Sequence, residues 1–147
     1  MSAEDEVRTV SLRFYAALTR MANGDAKPLA AIWSHGAMVT ALHPIGGRQV
    51  GWDAVFASFE QVARLASGGK VELHQQCIHV AGELACETGV EQGQITLADQ
   101  QVAIEHRVTN LYRRAGDSWK MIHHHTDISP AMLAVLERLA RAGDTQR

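Results

Sequence analysis

The strongest constraint on this chain is a run of period-two alternation through residues 71–127, closing with a hairpin between Val102 and Asp127. The first arm of the hairpin reads VAIEHRVTNLYRR, the connection AGDS and the return arm WKMIHHHTD. Alternation on both arms, joined by a polar Gly-containing break, implies antiparallel pairing. With a three-residue loop at Ala115, Gly116 and Asp117, Thr109 stands opposite His123, Arg107 opposite His125 and Glu105 opposite Asp127. One face then carries Glu105, Arg107, Thr109, Leu111, Trp119, Met121, His123, His125 and Asp127. The other carries Val102, Ile104, His106, Val108, Asn110, Tyr112, Ile122 and His124. Both are partly apolar, so one is expected to cover a core and the other to meet a partner.

The chain ahead of this run has a different period. Val7, Val10, Phe14, Ala17 and Met21 form one apolar stripe and predict a helix over 4–22, with Ser2 and Asp5 as its cap and Asn23-Gly24 as its stop. A second helix is expected over 25–33, with Pro28 in its first turn. A strand is expected over 37–43, closed by Pro44 and the turn Gly46-Gly47. A third helix follows over 52–66, with Trp52, Val55, Phe56, Phe59 and Val62 on one side. The strands then fall at 71–80, 84–97, 101–113 and 118–127. A last helix over 129–142 carries Met132, Leu133, Leu136 and Leu139, and the tail from 144 to 147 is expected to fray. Three helices followed by an antiparallel meander make an α+β domain, its helices on one face of a curved sheet and a cavity at the open end.

Length and composition suit one soluble domain spanning 1–147, with 46% hydrophobic and 20% charged residues. A net charge of −2, with no basic run beyond Arg113-Arg114, argues against a nucleic-acid partner. No stretch of about 18 apolar residues is present, which argues against a membrane span. The acidic N-terminus lacks the features of a secretory signal, so the expected location is cytoplasmic. Cys77 and Cys86 flank the turn after Val80, and reduced thiols are expected there.

Eight histidines supply the chemistry most visible in the sequence. His43, His123 and His125 read as a set at a pocket mouth, with Arg107 or Asp127 orienting an imidazole. The alternative is that the histidines of the last strand are hydrogen-bonded within the sheet. His123 and His125, two residues apart on a strand, could chelate zinc with His43 or Glu105 as third ligand; no metal or other cofactor is expected. Arg107 is either neutralised by Glu105 or receives a ligand's carboxylate or enolate. The G-x-x-x-x-G spacing from Gly46 to Gly51 is followed by Trp52-Asp53 and is not a phosphate loop. Ile104, Val108, Tyr112 and Ile122, read as outward-facing, support a homodimer through the outer sheet face.

Taken in order, FYAAL with NGD, IWSHGAMVTALHPIGG, GWDAVFASF and RVTNLYRR…W…IHHHTD resemble the nuclear transport factor 2-like superfamily, in particular its SnoaL-like members. The resemblance runs from Val7 to Asp127 and implies a conical α+β fold with three N-terminal helices on a curved antiparallel sheet, a hydrophobic pocket and frequent dimers. The last segment also resembles a calcium/calmodulin-dependent kinase association domain. The superfamily's steroid isomerases use a helix-1 tyrosine and two aspartates. Phe14 takes the tyrosine's position here, with Tyr15 one residue away; His43 takes that of the base, and the second aspartate falls near Thr109. None is retained by type, so a different mechanism is implied.

The expected protein binds a small, largely apolar molecule in a pocket walled by Phe14, Tyr15, Trp33, Trp52, Phe56, Thr109, Trp119, Met121, His123 and His125. Chemistry there would be cofactor-free isomerisation, cyclisation or dehydration of a carbonyl compound. His43 or His123 would act as base and Arg107 would stabilise the oxyanion. The alternative is a non-catalytic dimeric ligand-binding or association module.

Overall fold

The computed structural model describes residues 1–145. Helix α1 spans Ala3–Met21 and opens on a reciprocal cap, in which the Ser2 hydroxyl accepts from Asp5 N–H and the Asp5 carboxylate from Ser2 N–H. Val7, Phe14, Ala17, Leu18 and Met21 are buried along its inner side. The expected second helix is only a 3-10 helix at Lys27–Ala31. Its N-cap, Ala26, offers no side-chain acceptor, and the short i→i+3 form rarely extends further.

The chain then forms β1 (Thr40–His43), β2 (Gly46–Val50), α2 (Trp52–Leu65), β3 (Ala66–Ala81), β4 (Leu84–Leu97), β5 (Gln100–Ala115), β6 (Ser118–Thr126) and α3 (Pro130–Thr145). The helices are therefore one N-terminal, one central and one C-terminal, a correction to three N-terminal helices plus an extra one. Strand β2 was not foreseen. Positive φ at Gly46 and Gly47 turns the chain back onto β1. The expected fraying at 144–147 lies partly outside the described residues; through Thr145 the chain is helical.

The six strands form one sheet in the order β2-β1-β6-β5-β4-β3. Pairing is antiparallel except between β1 and β6, where Thr40, Ala41 and Leu42 stand beside His123, His124 and His125 in parallel register. Gly93 lets the sheet curl round the helices. Its φ is 152°, and a Cβ there would come within 1.8 Å of the Lys70 carbonyl oxygen on β3.

The hairpin register differs from the expected one in two ways. Ala115 pairs with Ser118 across a two-residue turn, with Gly116 at φ 63°. A bulge then places Met121 opposite Tyr112 but His123 opposite Leu111, leaving Ile122 without a partner. The bulge reverses the parity of β6, so Trp119 and Met121 point inward and so do His124 and Thr126. His123 and His125 point outward.

On β5 the inner residues are Val102, Ile104, His106, Val108, Asn110 and Tyr112, all buried. The pocket face expected from the sequence is therefore the outer face, and the expected outer face is the core. The apolar majority decides this, because burying it against the helices gains more than burying Glu105 and Arg107. Ile104, Val108 and Tyr112 thus give no apolar outer surface, and that basis for a homodimer is lost.

Helix α3 closes the open end of the cone. The Ser129 N–H donates to the Pro44 carbonyl at 2.8 Å, its hydroxyl accepts from Met132 N–H, and Met132 and Val135 are buried. No described helix is long and apolar enough to cross a membrane.

Candidate active site

Between α1, α2, α3 and the concave side of the sheet lies a cavity of about 60 Å³. Its walls are apolar over most of their area, from Leu18, Met21, Phe59, Val62, Ile95, Leu97, Ile104 and Met132. The polar atoms come from His43, Glu91, His106 and His124. Four strands bring them together, because Glu91 on β4 pairs with His106 on β5, His124 on β6 pairs with Asn110 on β5, and β1, which ends at His43, runs beside β6.

Glu91 is the centre of this group. One carboxylate oxygen accepts from His106 Nε2–H at 2.7 Å and the other from the Tyr15 hydroxyl at 2.9 Å. His124 Nε2 stands 3.9 Å from Oε2, too far for a hydrogen bond. Burial alone would raise the Glu91 pKa, but the His106 hydrogen bond, the neighbouring imidazoles and Tyr15 together hold it below its ordinary value. Burial, then the Glu91 charge, keeps Tyr15 a phenol well past its usual range.

His124 is buried, and its Nδ1 lies 2.6 Å from Asn110 Oδ1. A carbonyl oxygen only accepts, so Nδ1 carries the hydrogen and neutral His124 keeps its lone pair at Nε2. Burial lowers its pKa to about 4 despite the nearby Glu91 carboxylate. His43 lines the same cavity, its ring centroid 6.3 Å from that of His124. The Ser58 hydroxyl donates to Val55 O, so His43 Nε2–H donates to Ser58 at 2.7 Å. Burial, followed by the proximity of His124, lowers the His43 pKa to about 3. His106 Nδ1 is buried with no hydrogen-bond partner among the described residues. A polar atom left so in an otherwise satisfied network is the point at which a ligand can bind.

Of the residues expected from the sequence, the structure brings His43 to the cavity and Tyr15 onto its carboxylate. Phe14 is buried behind them, its ring 5.2 Å from His124. Trp33, Trp52 and Phe56 do not line the cavity; they form an aromatic cluster at α2 that meets it through Phe59, 5.9 Å from Trp33. Met121 is buried core, and Trp119 donates its indole N–H to Glu6 at 3.0 Å. His123, His125, Thr109 and Arg107 lie on the opposite side of the sheet and share no cavity with His43. His123 Nδ1 is 2.6 Å from the Thr40 hydroxyl, so the reading of a histidine hydrogen-bonded within the sheet holds for it. Arg107 is neutralised by Asp127, not by Glu105, through contacts of 2.8 and 3.1 Å. Arg107, Thr109 and His125 border an open outer groove of about 480 Å³. Among the described residues no group of three or more His, Cys, Asp or Glu is placed to hold a metal ion.

Glu91, His106 and His124 were missed, although a signal existed. Ala85, Glu87, Gly89, Glu91, Gly93, Ile95 and Leu97 share one face of β4, and an apolar end to such a face marks it as buried.

A cone of six strands enclosing helices and a buried acid–base cluster defines an α+β small-molecule-binding architecture. Residues 7–132 match the model of the SnoaL-like domain family, and the chain belongs to that family. Solved structures of similar fold come from several bacteria. A nuclear transport factor 2-like superfamily protein from Salmonella enterica superposes with a TM-score of 0.76 at 16% identity, over 84% of this chain and 89% of that one. A protein provisionally assigned as a dehydratase of the same family, from Streptomyces avermitilis, gives 0.74 at 23% identity over 86% and 96%. A protein of unknown function from Pseudomonas putida gives 0.68 at 27% identity over 85% of each chain. No curated protein matches the chain in sequence.

Proposed function

We propose that this protein binds a small, largely apolar carbonyl or hydroxy-carbonyl compound in the interior cavity and moves a proton on it without a cofactor. The reaction would be an isomerisation or dehydration. One observation carries the reading: the one carboxylate that lines the cavity, Glu91, is flanked by His106 and His124 at the polar end of apolar walls. His124 is the base, because its Nε2 lone pair is unprotonated at neutral pH. His124 Nε2 takes the proton from the carbon beside the carbonyl and returns it to another carbon of the ligand or to its departing hydroxyl. His106, its Nε2–H held by Glu91, accepts a ligand hydroxyl at Nδ1, and the Tyr15 hydroxyl fixes the carboxylate. We assign His43, which lines the same cavity, to its wall. A non-catalytic association module would call for an outer face richer in apolar surface than β5 provides. The provisional dehydratase from Streptomyces avermitilis is in keeping with the reading. We infer a cytoplasmic protein, and a homodimer only through a surface other than the outer face of β5; light scattering tests the dimer.

The test follows hydrogen–deuterium exchange by NMR in D2O across a panel of three- and four-carbon ketones and hydroxy ketones, sized to the cavity of about 60 Å³. Exchange next to the carbonyl is expected for at least one compound and should fall by ~10²-fold in His124→Gln and in His106→Asn. Exchange that survives both substitutions, or none across a panel whose members bind, would overturn the reading.

A further inference from the structure

The base proposed above has two nitrogens, and what chooses between them is a second buried carboxylate. Glu87 is fully buried and touches neither the cavity nor Glu91. It accepts from Tyr112 Oη at 2.8 Å, from Gln76 Nε2 at 2.7 Å and from Asn110 Nδ2 at 3.0 Å. The Glu87 oxygen that accepts from Tyr112 Oη also faces Asn110 and calls for a second donor, so the Asn110 atom facing Glu87 is the amide nitrogen. The same nitrogen gives its other hydrogen to Tyr15 Oη at 3.0 Å. Both amide hydrogens are thus committed, and the Asn110 oxygen can only be the atom turned to His124 Nδ1.

From this geometry we infer that Asn110 and Glu87 are positioning residues that lock the tautomer of His124. The amide orientation is set by Glu87, the hydrogen on Nδ1 by that orientation, and the lone pair at Nε2 by the hydrogen on Nδ1. Asn110 also fixes a second proton. Because its N–H occupies a lone pair of Tyr15 Oη, the phenol hydrogen is directed to Glu91. One amide therefore aligns the base and steadies the carboxylate. The inference rests on the proposed role of His124, but the tautomer can be measured without any substrate.

The experiment is long-range 1H–15N spectroscopy of histidine-labelled full-length protein at neutral pH, with the His124 signals identified by their loss in His124→Gln. Wild type should show a protonated Nδ1 and an unprotonated Nε2. Asn110→Leu removes the acceptor and should shift His124 towards the Nε2–H form. Glu87→Gln keeps size but puts a donor where one acceptor oxygen stood, and should mix the two forms by freeing the Asn110 amide to turn over. A wild-type Nε2–H tautomer overturns the inference even if neither variant folds, as does an unchanged Nδ1–H form in both variants. Failure of the ketone exchange test with the tautomer as expected would remove the catalytic reading and leave the lock in place.

Discussion

Residues 106 and 107 are neighbours on β5, and each holds an acid–base pair, one on each side of the sheet. Arg107 with Asp127 has the better geometry, with two side-chain contacts and a third from the Arg107 backbone N–H to the same carboxylate. His106 with Glu91 makes one contact of 2.7 Å. Their surroundings reverse the order of importance. The Arg107 and Asp127 side chains are 82% and 41% exposed, whereas those of His106 and Glu91 are 3% and 4% exposed. Water and salt screen the outer pair, and its long arginine must be ordered to make the contact. The inner pair sits out of water, where a Glu91 carboxylate that lost His106 would keep only the Tyr15 hydroxyl. Burial, more than the number of contacts, separates the pair that determines the interior chemistry from the pair that decorates the surface.

Acid gives the largest expected effect and acts on the inner side. His43 and His124 have folded pKa values of about 3 and about 4, below the ordinary value of 6.5, so they fold as neutral groups. Their contribution is complete above pH 6.5 and is lost as pH falls towards those folded values, at about 1.4 kcal/mol per pH unit for each. Glu91, also lowered, adds a loss of the same sign below its ordinary value of 4.5. Urea unfolding at steps from pH 7 to pH 4 should show a fall of several kcal/mol, made shallower in His124→Gln. A flat profile would mean that water reaches the imidazoles.

Next in size is the cost of breaking the inner pair. His106→Ala leaves Glu91 without its closest donor and is expected to cost about 3–5 kcal/mol by urea unfolding. The double variant Glu91→Leu with His106→Leu removes both polar partners and should recover much of that loss while remaining inert towards ligands. A double variant no more stable than His106→Ala would show that packing, not charge, sets the cost.

The fold was legible wherever one period held over a whole element. The apolar stripe of α1 and the alternation in β4 and β5 place those elements within a few residues of their observed bounds. The 3-10 helix and β2 were not legible, because both depend on contacts made elsewhere. The site was lost at one residue. Ile122 is bulged, and nothing in WKMIHHHTD announces a bulge, so continuous alternation from Trp119 carries His123 inward and His124 outward. The face of β5 could still have been read correctly. Val102, Ile104, Val108 and Tyr112 outnumber Leu111 as apolar residues, and their companions His106 and Asn110 had to follow them into the core. The cluster of histidines drew attention to the strand, but only its middle member reaches the cavity.

A smaller effect is expected at the cap of the cavity. Met132 lies on α3 and closes the cavity wall, so Met132→Ala should cost about 2 kcal/mol by urea unfolding and enlarge the free space beside His124. The enlarged site should take up benzene, detected as shifts of neighbouring methyl resonances. An enlarged cavity that stays empty would indicate that α3 collapses onto the sheet.

The smallest effect is expected where the contacts are most numerous. The Arg107 side-chain and backbone hydrogen bonds hold the Asp127 pKa near 2, so whatever the pair contributes is present above about pH 3.8 and fades as pH falls towards 2. Asp127→Asn keeps the shape, removes the charge and should barely move the melting temperature at neutral pH. What shift there is should shrink in molar salt, because exposed charges are screened there. The loss in His106→Ala should be the same at low and high salt, since mobile ions do not reach the cavity. A loss in Asp127→Asn that matched that of His106→Ala and persisted in salt would make geometry, not burial, the measure of these two pairs.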